Sequence, residues 1–89
     1  MPKAEIGWVR RTEDGTKLDV YVRHVGGCWR FYARSRRYEP WQSVADPPLE
    51  DWLELLDAVE RRVARRRSRP EEIERVRQSI RQRFPEAGV

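Results

Sequence analysis

Two successive glycines, Gly26-Gly27, separate two segments that each alternate in character. Before them, Leu18, Val20, Val22 and His24 alternate with Asp19, Tyr21, Arg23 and Val25; after them, Trp29, Phe31 and Ala33 alternate with Arg30, Tyr32 and Arg34. A period of two marks a half-buried strand, and a Gly-Gly pair supplies both positive φ angles of a two-residue primed turn. Such a loop fixes register, because a slip of one residue would turn every apolar side chain to the wrong face. Counting outward from Val25 opposite Cys28 pairs His24 with Trp29, Val22 with Phe31 and Val20 with Ala33 on an inner face. The same count pairs Arg23 with Arg30, Tyr21 with Tyr32 and Asp19 with Arg34 on the outer face.

The flanking segments extend this pattern. Ile6, Trp8 and Arg10 alternate with Gly7, Val9 and Arg11, and Thr12-Glu13-Asp14-Gly15-Thr16 suits a three-residue hairpin loop, a type I turn closed by a left-handed Gly15. A poorer strand around Tyr38 to Val44 contains Pro40, which cannot donate to a ladder and belongs at an edge. Asp46-Pro47-Pro48 then ends the sheet, with Asp46 the expected N-cap of a helix over 47–67. Leu49, Trp52, Leu53, Leu56, Val59 and Val63 recur there at helical spacing. Ser68-Arg69-Pro70-Glu71 carries a capping-box pattern that opens a second helix over 69–84, with the stripe Ile73, Val76, Ile80 and Phe84 ahead of Pro85.

The expected fold is one α+β domain over 1–89, with an antiparallel meander of three or four strands (5–45) packed on a C-terminal two-helix hairpin. Its expected core is Ile6, Trp8, Val20, Val22, Trp29, Phe31, Trp52, Leu53, Leu56, Val59, Val63, Ile73, Val76 and Ile80. A chain of 89 residues buries only part of its unfolded surface, so the four tryptophans, Trp8, Trp29, Trp41 and Trp52, are read first as core and only second as a ligand pocket.

Catalytic and metal chemistry find little support. One histidine and one cysteine fall short of the three or four ligands of a zinc site. His24 and Cys28 bracket the glycine turn, but the register sets them on opposite faces with no third residue to orient the imidazole. Glu50, Asp51, Glu54 and Asp57 are expected on the exposed side of the first helix, without the burial that tunes a carboxyl group for acid–base work. No phosphate-binding or dinucleotide glycine motif and no hydrolase motif occurs. The expectation is a non-enzymatic protein without metal or cofactor. Cys28 alone cannot form an internal disulfide, and no apolar run approaches the ~20 residues of a bilayer span, so no membrane role and a reducing, cytoplasmic setting are expected.

Charge is segregated along the helices. Asp46 to Glu60 holds six acids and no base, whereas Arg61 to Arg69 holds six arginines and no acid. Acids at a helix N-terminus and bases at its C-terminus each gain about 0.3–1 kcal/mol from the helix dipole, which accounts for much of the pattern. Asp57–Arg61 and Glu71–Arg75 also stand as favourable i,i+4 pairs. Reading the arginine run as a nucleic-acid patch is the alternative.

The outer sheet face is less easily explained by stability. Arg23 directly opposite Arg30 is a like-charge pair, which is destabilising. Tyr21 and Tyr32 stand beside them, Arg34 follows, and Arg36 and Arg37 lie just beyond. With 19 basic against 15 acidic residues and an isoelectric point near 9.8, the best reading is a nucleic-acid- or polyanion-binding face made of Tyr21, Arg23, Arg30, Tyr32, Arg34, Arg36 and Arg37. The plain alternative is a solvated face partly neutralised by Asp19, with the tyrosines as ordinary cross-strand packing; the functional alternative is a protein-interaction module or homodimer that uses this face or the open edge near Tyr38 to Val44. In outline, a short antiparallel sheet followed by a helix over roughly residues 5–67 resembles the DNA-binding domains at the N-termini of some phage integrases. Those domains read the major groove with arginines and aromatics on the sheet face. The second helix falls outside that resemblance.

Overall fold

The computed structural model describes residues 6–25, 28–36 and 38–89; the Gly26-Gly27 turn and Arg37 lie outside the described residues. The chain forms two compact units, Met1–Pro47 and Pro48–Val89.

The first unit is a four-stranded antiparallel meander in chain order: β1 (Ile6–Arg11), β2 (Lys17–Val25), β3 (Cys28–Arg34) and β4 (Gln42–Val44). The β1–β2 loop closes as expected: the Gly15 amide donates to the Thr12 carbonyl (2.9 Å), the Thr12 amide to the Thr16 carbonyl (2.9 Å), and Gly15 stands at φ +87°. Between β2 and β3 the register is the one counted from the glycine pair, from Val25 opposite Cys28 to Asp19 opposite Arg34. β4 begins only after Pro40 and pairs through three residues: Gln42 with Ala33, Ser43 with Tyr32 and Val44 with Phe31. Parity then sorts the side chains. Ile6, Val20, Val22 and Phe31 are buried on the inner face, where Trp8 meets Phe31 edge-on at 6.3 Å. Trp8 and Trp29 are half-buried.

The second unit pairs α1 (Leu49–Ala64) with α2 (Glu71–Arg83), followed by a short 3-10 turn at Pro85–Ala87. α2 runs back along α1, because Arg77 reaches Glu60 (3.3 Å) while Arg83 lies over the Trp52 ring (4.9 Å). Neither expected side-chain cap forms. A residue ahead of proline is pushed to extended backbone, so Asp46 and Pro47 cannot enter the helix and the cap falls on Pro48, at φ −70° and ψ 162°. At α2 the first turn closes on Arg69 and Pro70, which accept from Glu72 (3.0 Å) and Ile73 (3.1 Å), one residue beyond the Ser68 capping box.

α1 also stops at Ala64 rather than running on to Arg67, because Arg66 adopts the left-handed conformation at φ 62°. The Arg66 amide donates to the Val63 carbonyl (2.9 Å) and the Arg67 amide to the Arg62 carbonyl (2.8 Å). That double bond pattern is a Schellman terminator.

The buried arc of α1 is turned from the expected stripe. Leu55 is 0% exposed with Trp52 and Val59 beside it, whereas Leu53 is 40% exposed. Asp51, expected in solvent with Glu50, Glu54 and Asp57, is only 2% exposed. Asp51 follows from the same rotation, since it lies four residues before Leu55 on one helix face. Val76 and Ile80 of α2 are fully buried. No described helix is long and apolar enough to cross a membrane.

Candidate nucleic-acid interface

The outer sheet face collects alternate residues of three neighbouring strands. β1 contributes Gly7, Val9 and Arg11, β2 contributes Lys17, Asp19, Tyr21 and Arg23, and β3 contributes Arg30, Tyr32 and Arg34. Across from Tyr21 on β1 stands Gly7, which puts no side chain beside the ring.

Arg23 and Arg30 are direct cross-strand partners and both are exposed. Among the described residues neither has a carboxylate partner. Opposed like charges cost a few tenths of a kcal/mol or more in a sheet, so this pair contributes nothing to holding β2 against β3.

Next along, Tyr21 and Tyr32 stack with ring centres 5.1 Å apart and planes inclined by 22°. Trp41 joins them, its ring 4.6 Å from Tyr21 in an edge-on contact at 66°. Trp41 was expected in the core and is instead 36% exposed on this outer face. Extending the β3–β4 register by one position from Ala33 opposite Gln42 sets it across from Arg34. No tight turn joins β3 to β4, so that register was not available by counting.

Arg34 is engaged on two sides. Its guanidinium carbon lies 4.1 Å from the Trp41 ring centre, and its Nε is 3.7 Å from Asp19 Oδ2. Stacking on the ring is worth about 0.5–1 kcal/mol at a partly exposed site. Lys17, Asp19, Arg34 and Ser35 line a shallow polar cleft of ≈ 480 Å³ at this end of the face; Lys17 and its cross-strand partner Arg11 are basic residues of this face that alternation around the glycine pair does not bring in.

Arg36 follows β3 in a turn organised by Glu39. The Ser35 hydroxyl donates to Glu39 Oε1 (2.8 Å) and the Arg36 amide donates to the same oxygen (3.2 Å). These bonds, that from Ser35 foremost, hold the Glu39 carboxyl below its ordinary range. The Arg36 side chain stays exposed. Arg37, the last residue expected here, lies outside the described residues.

Of the seven residues assigned from sequence, Tyr21, Arg23, Arg30, Tyr32 and Arg34 therefore share one strand face, and Arg36 sits in the turn that follows. His24 stacks on Trp29 at 4.2 Å and 13°, while Cys28 pairs with Val25 on the opposite parity and is exposed. Among the described residues no group of three or more His, Cys, Asp or Glu side chains is placed to hold a metal ion.

Comparison with protein-family models, curated proteins and solved structures returns no match for this chain.

Proposed function

We propose that this protein binds nucleic acid, without catalysis, through the outer face of its sheet. The observation that carries the reading is the Arg23–Arg30 pair: two exposed guanidiniums directly opposed across β2 and β3, without a carboxylate partner among the described residues. Fold stability disfavours such a pair, whereas a phosphate set between the two cations reverses the sign of the interaction. Arg36 adds a further exposed cation beyond the end of β3, and Lys17 lines the cleft beside Arg34. The Tyr21–Tyr32–Trp41 cluster next to the pair supplies a rigid aromatic surface. Rings of this kind contact bases or sugars while arginines hold the backbone. Arg34 acts here as a positioning residue, since it is already committed to Trp41 and Asp19.

The test is a salt titration with random-sequence single-stranded and duplex oligonucleotides. Affinity is expected to fall steeply as salt rises, with a slope of about 0.7 per phosphate contact on single strands and about 0.9 on duplex. Absence of binding at low ionic strength, or binding indifferent to salt, would overturn the proposal.

A further inference from the structure

The arginine run divides into two parts with different surroundings. Arg61 and Arg62 lie in the last turn of α1, where the helix dipole rewards a cation. Arg61 pairs with Asp57 (3.1 Å), and Arg62 is half-buried and engaged. The helix explains these two.

Arg65, Arg66, Arg67 and Arg69 come at or after the helix end, and all are exposed. Among the described residues none of these four has a carboxylate partner. Of the three acids at the start of α2, Glu72 pairs with Arg75 (3.5 Å), replacing the Glu71–Arg75 pair expected from spacing, and Glu74 pairs with Arg81 (2.8 Å), while exposed Glu71 pairs with none of the four.

Arg66 is the sharper anomaly. It is the one described non-glycine residue with a positive φ, at 62°. It occupies the position after the C-cap of a Schellman terminator, where glycine is preferred because it has no Cβ to crowd the neighbouring carbonyl. An arginine there works against the stability of the turn while adding a third consecutive exposed cation.

We infer that this corner between α1 and α2 is a phosphate-binding surface, built from residues other than those of the sheet face, that grips the backbone of nucleic acid through Arg65, Arg66, Arg67 and Arg69. The two backbone bonds of the terminator, from Arg66 to Val63 and from Arg67 to Arg62, hold the central pair of arginines in a fixed turn. An anionic membrane would be drawn by the same charges, but a surface-bound segment also inserts apolar side chains. None of the exposed large apolar residues falls within 61–69. Aromatic rings are absent from that stretch too, so the contact is to phosphates and carries no base preference.

The full chain and three variants decide the matter, each titrated with a random 20-base-pair duplex across a range of salt and with vesicles containing phosphatidylserine. Arg65→Ser/Arg66→Gly/Arg67→Ser is expected to lose at least tenfold in duplex affinity at low salt, with the salt slope reduced by about 2 to 3. Arg66→Gly alone is expected to lower the slope by about one while the melting temperature holds or rises. That combination is one a purely structural role would not produce. Wild-type affinity in the triple variant, a fall in melting temperature for Arg66→Gly, or vesicle binding in preference to duplex would each overturn the inference. Arg23→Ala/Arg30→Ala, run in parallel, separates this surface from the sheet face. A loss confined to that variant removes the corner and leaves the sheet, a loss confined to the triple variant does the reverse, and losses in both support two surfaces.

Discussion

Arg34 lies with its guanidinium carbon 4.1 Å from the centre of the Trp41 ring, directly across the β3–β4 boundary. The contact joins the three-residue β4 to the rest of the sheet by side chains where backbone pairing is short. Its consequence is that the aromatic cluster and one of the outer-face arginines form a single packed unit. Trp41→Ala removes both the cation–π contact and the edge-on contact to Tyr21. It is expected to cost about 1–2 kcal/mol in urea denaturation. Arg34→Lys keeps the charge but not the flat stacking surface, and is expected to lose about 0.5–1 kcal/mol.

The opposed arginines make a prediction of the other sign. Arg23→Ala/Arg30→Ala relieves a repulsion, so stability is expected to hold or to rise by a few tenths of a kcal/mol. Nucleic-acid affinity is expected to fall, with the salt slope smaller by about 2 on duplex. A parallel loss of stability and binding would show that the pair is structural.

Leu55 and Leu53 test the orientation of α1. Leu55 is fully buried and Leu53 is exposed. Leu55→Ala is expected to destabilise by about 2–5 kcal/mol, as large-to-small changes in a packed interior do. Leu53→Ala is expected to stay within about 0.5 kcal/mol of the parent. Equal costs would mean that the helix is rotated toward the stripe suggested by spacing.

Two turn carboxylates make acid sensitivity predictable. Asp14 accepts from the Thr12 hydroxyl and from the Thr16 amide (3.1 Å), and Glu39 accepts from Ser35 and Arg36. Both titrate below their ordinary ranges for that reason, side-chain hydrogen bonding being the leading cause in each. A carboxylate whose folded value is depressed stabilises the fold above its unfolded value, and that contribution disappears as pH falls through the folded value. NMR titration should therefore show both carboxyl midpoints below those of the unfolded chain, with the Arg36 and Thr16 amide signals moving in step. Midpoints at unfolded values would refute the hydrogen-bonded turns.

How far the sequence could be read depended on what each residue was able to specify. The pairing of Arg23 with Arg30 and of Tyr21 with Tyr32 followed from alternation outward from a two-residue loop, where one count determines every partner. Trp41 escaped because the segment from Ser35 to Trp41 is too long to set a register, and Pro40 marked only that an edge was near. Along α1, Trp52, Leu53, Leu55 and Leu56 cover so much of the helix circumference that apolar spacing alone could not say which arc is buried. Asp51 went astray with them. The caps failed at Asp46 and Ser68 for a backbone reason, since prolines moved both helix starts past the side chains able to cap them.

The chain-order pairing of the four strands bears on how quickly the sheet can assemble. Every strand docks on the one made immediately before it, so no segment must wait for a distant partner, and each step confines only a short stretch of chain. Hairpins of this kind close on the order of microseconds, and topologies rich in local pairing fold faster than those built on distant pairing. The growing edge is consequently exposed only briefly during assembly, which matters for a protein whose last strand is too short to shield it.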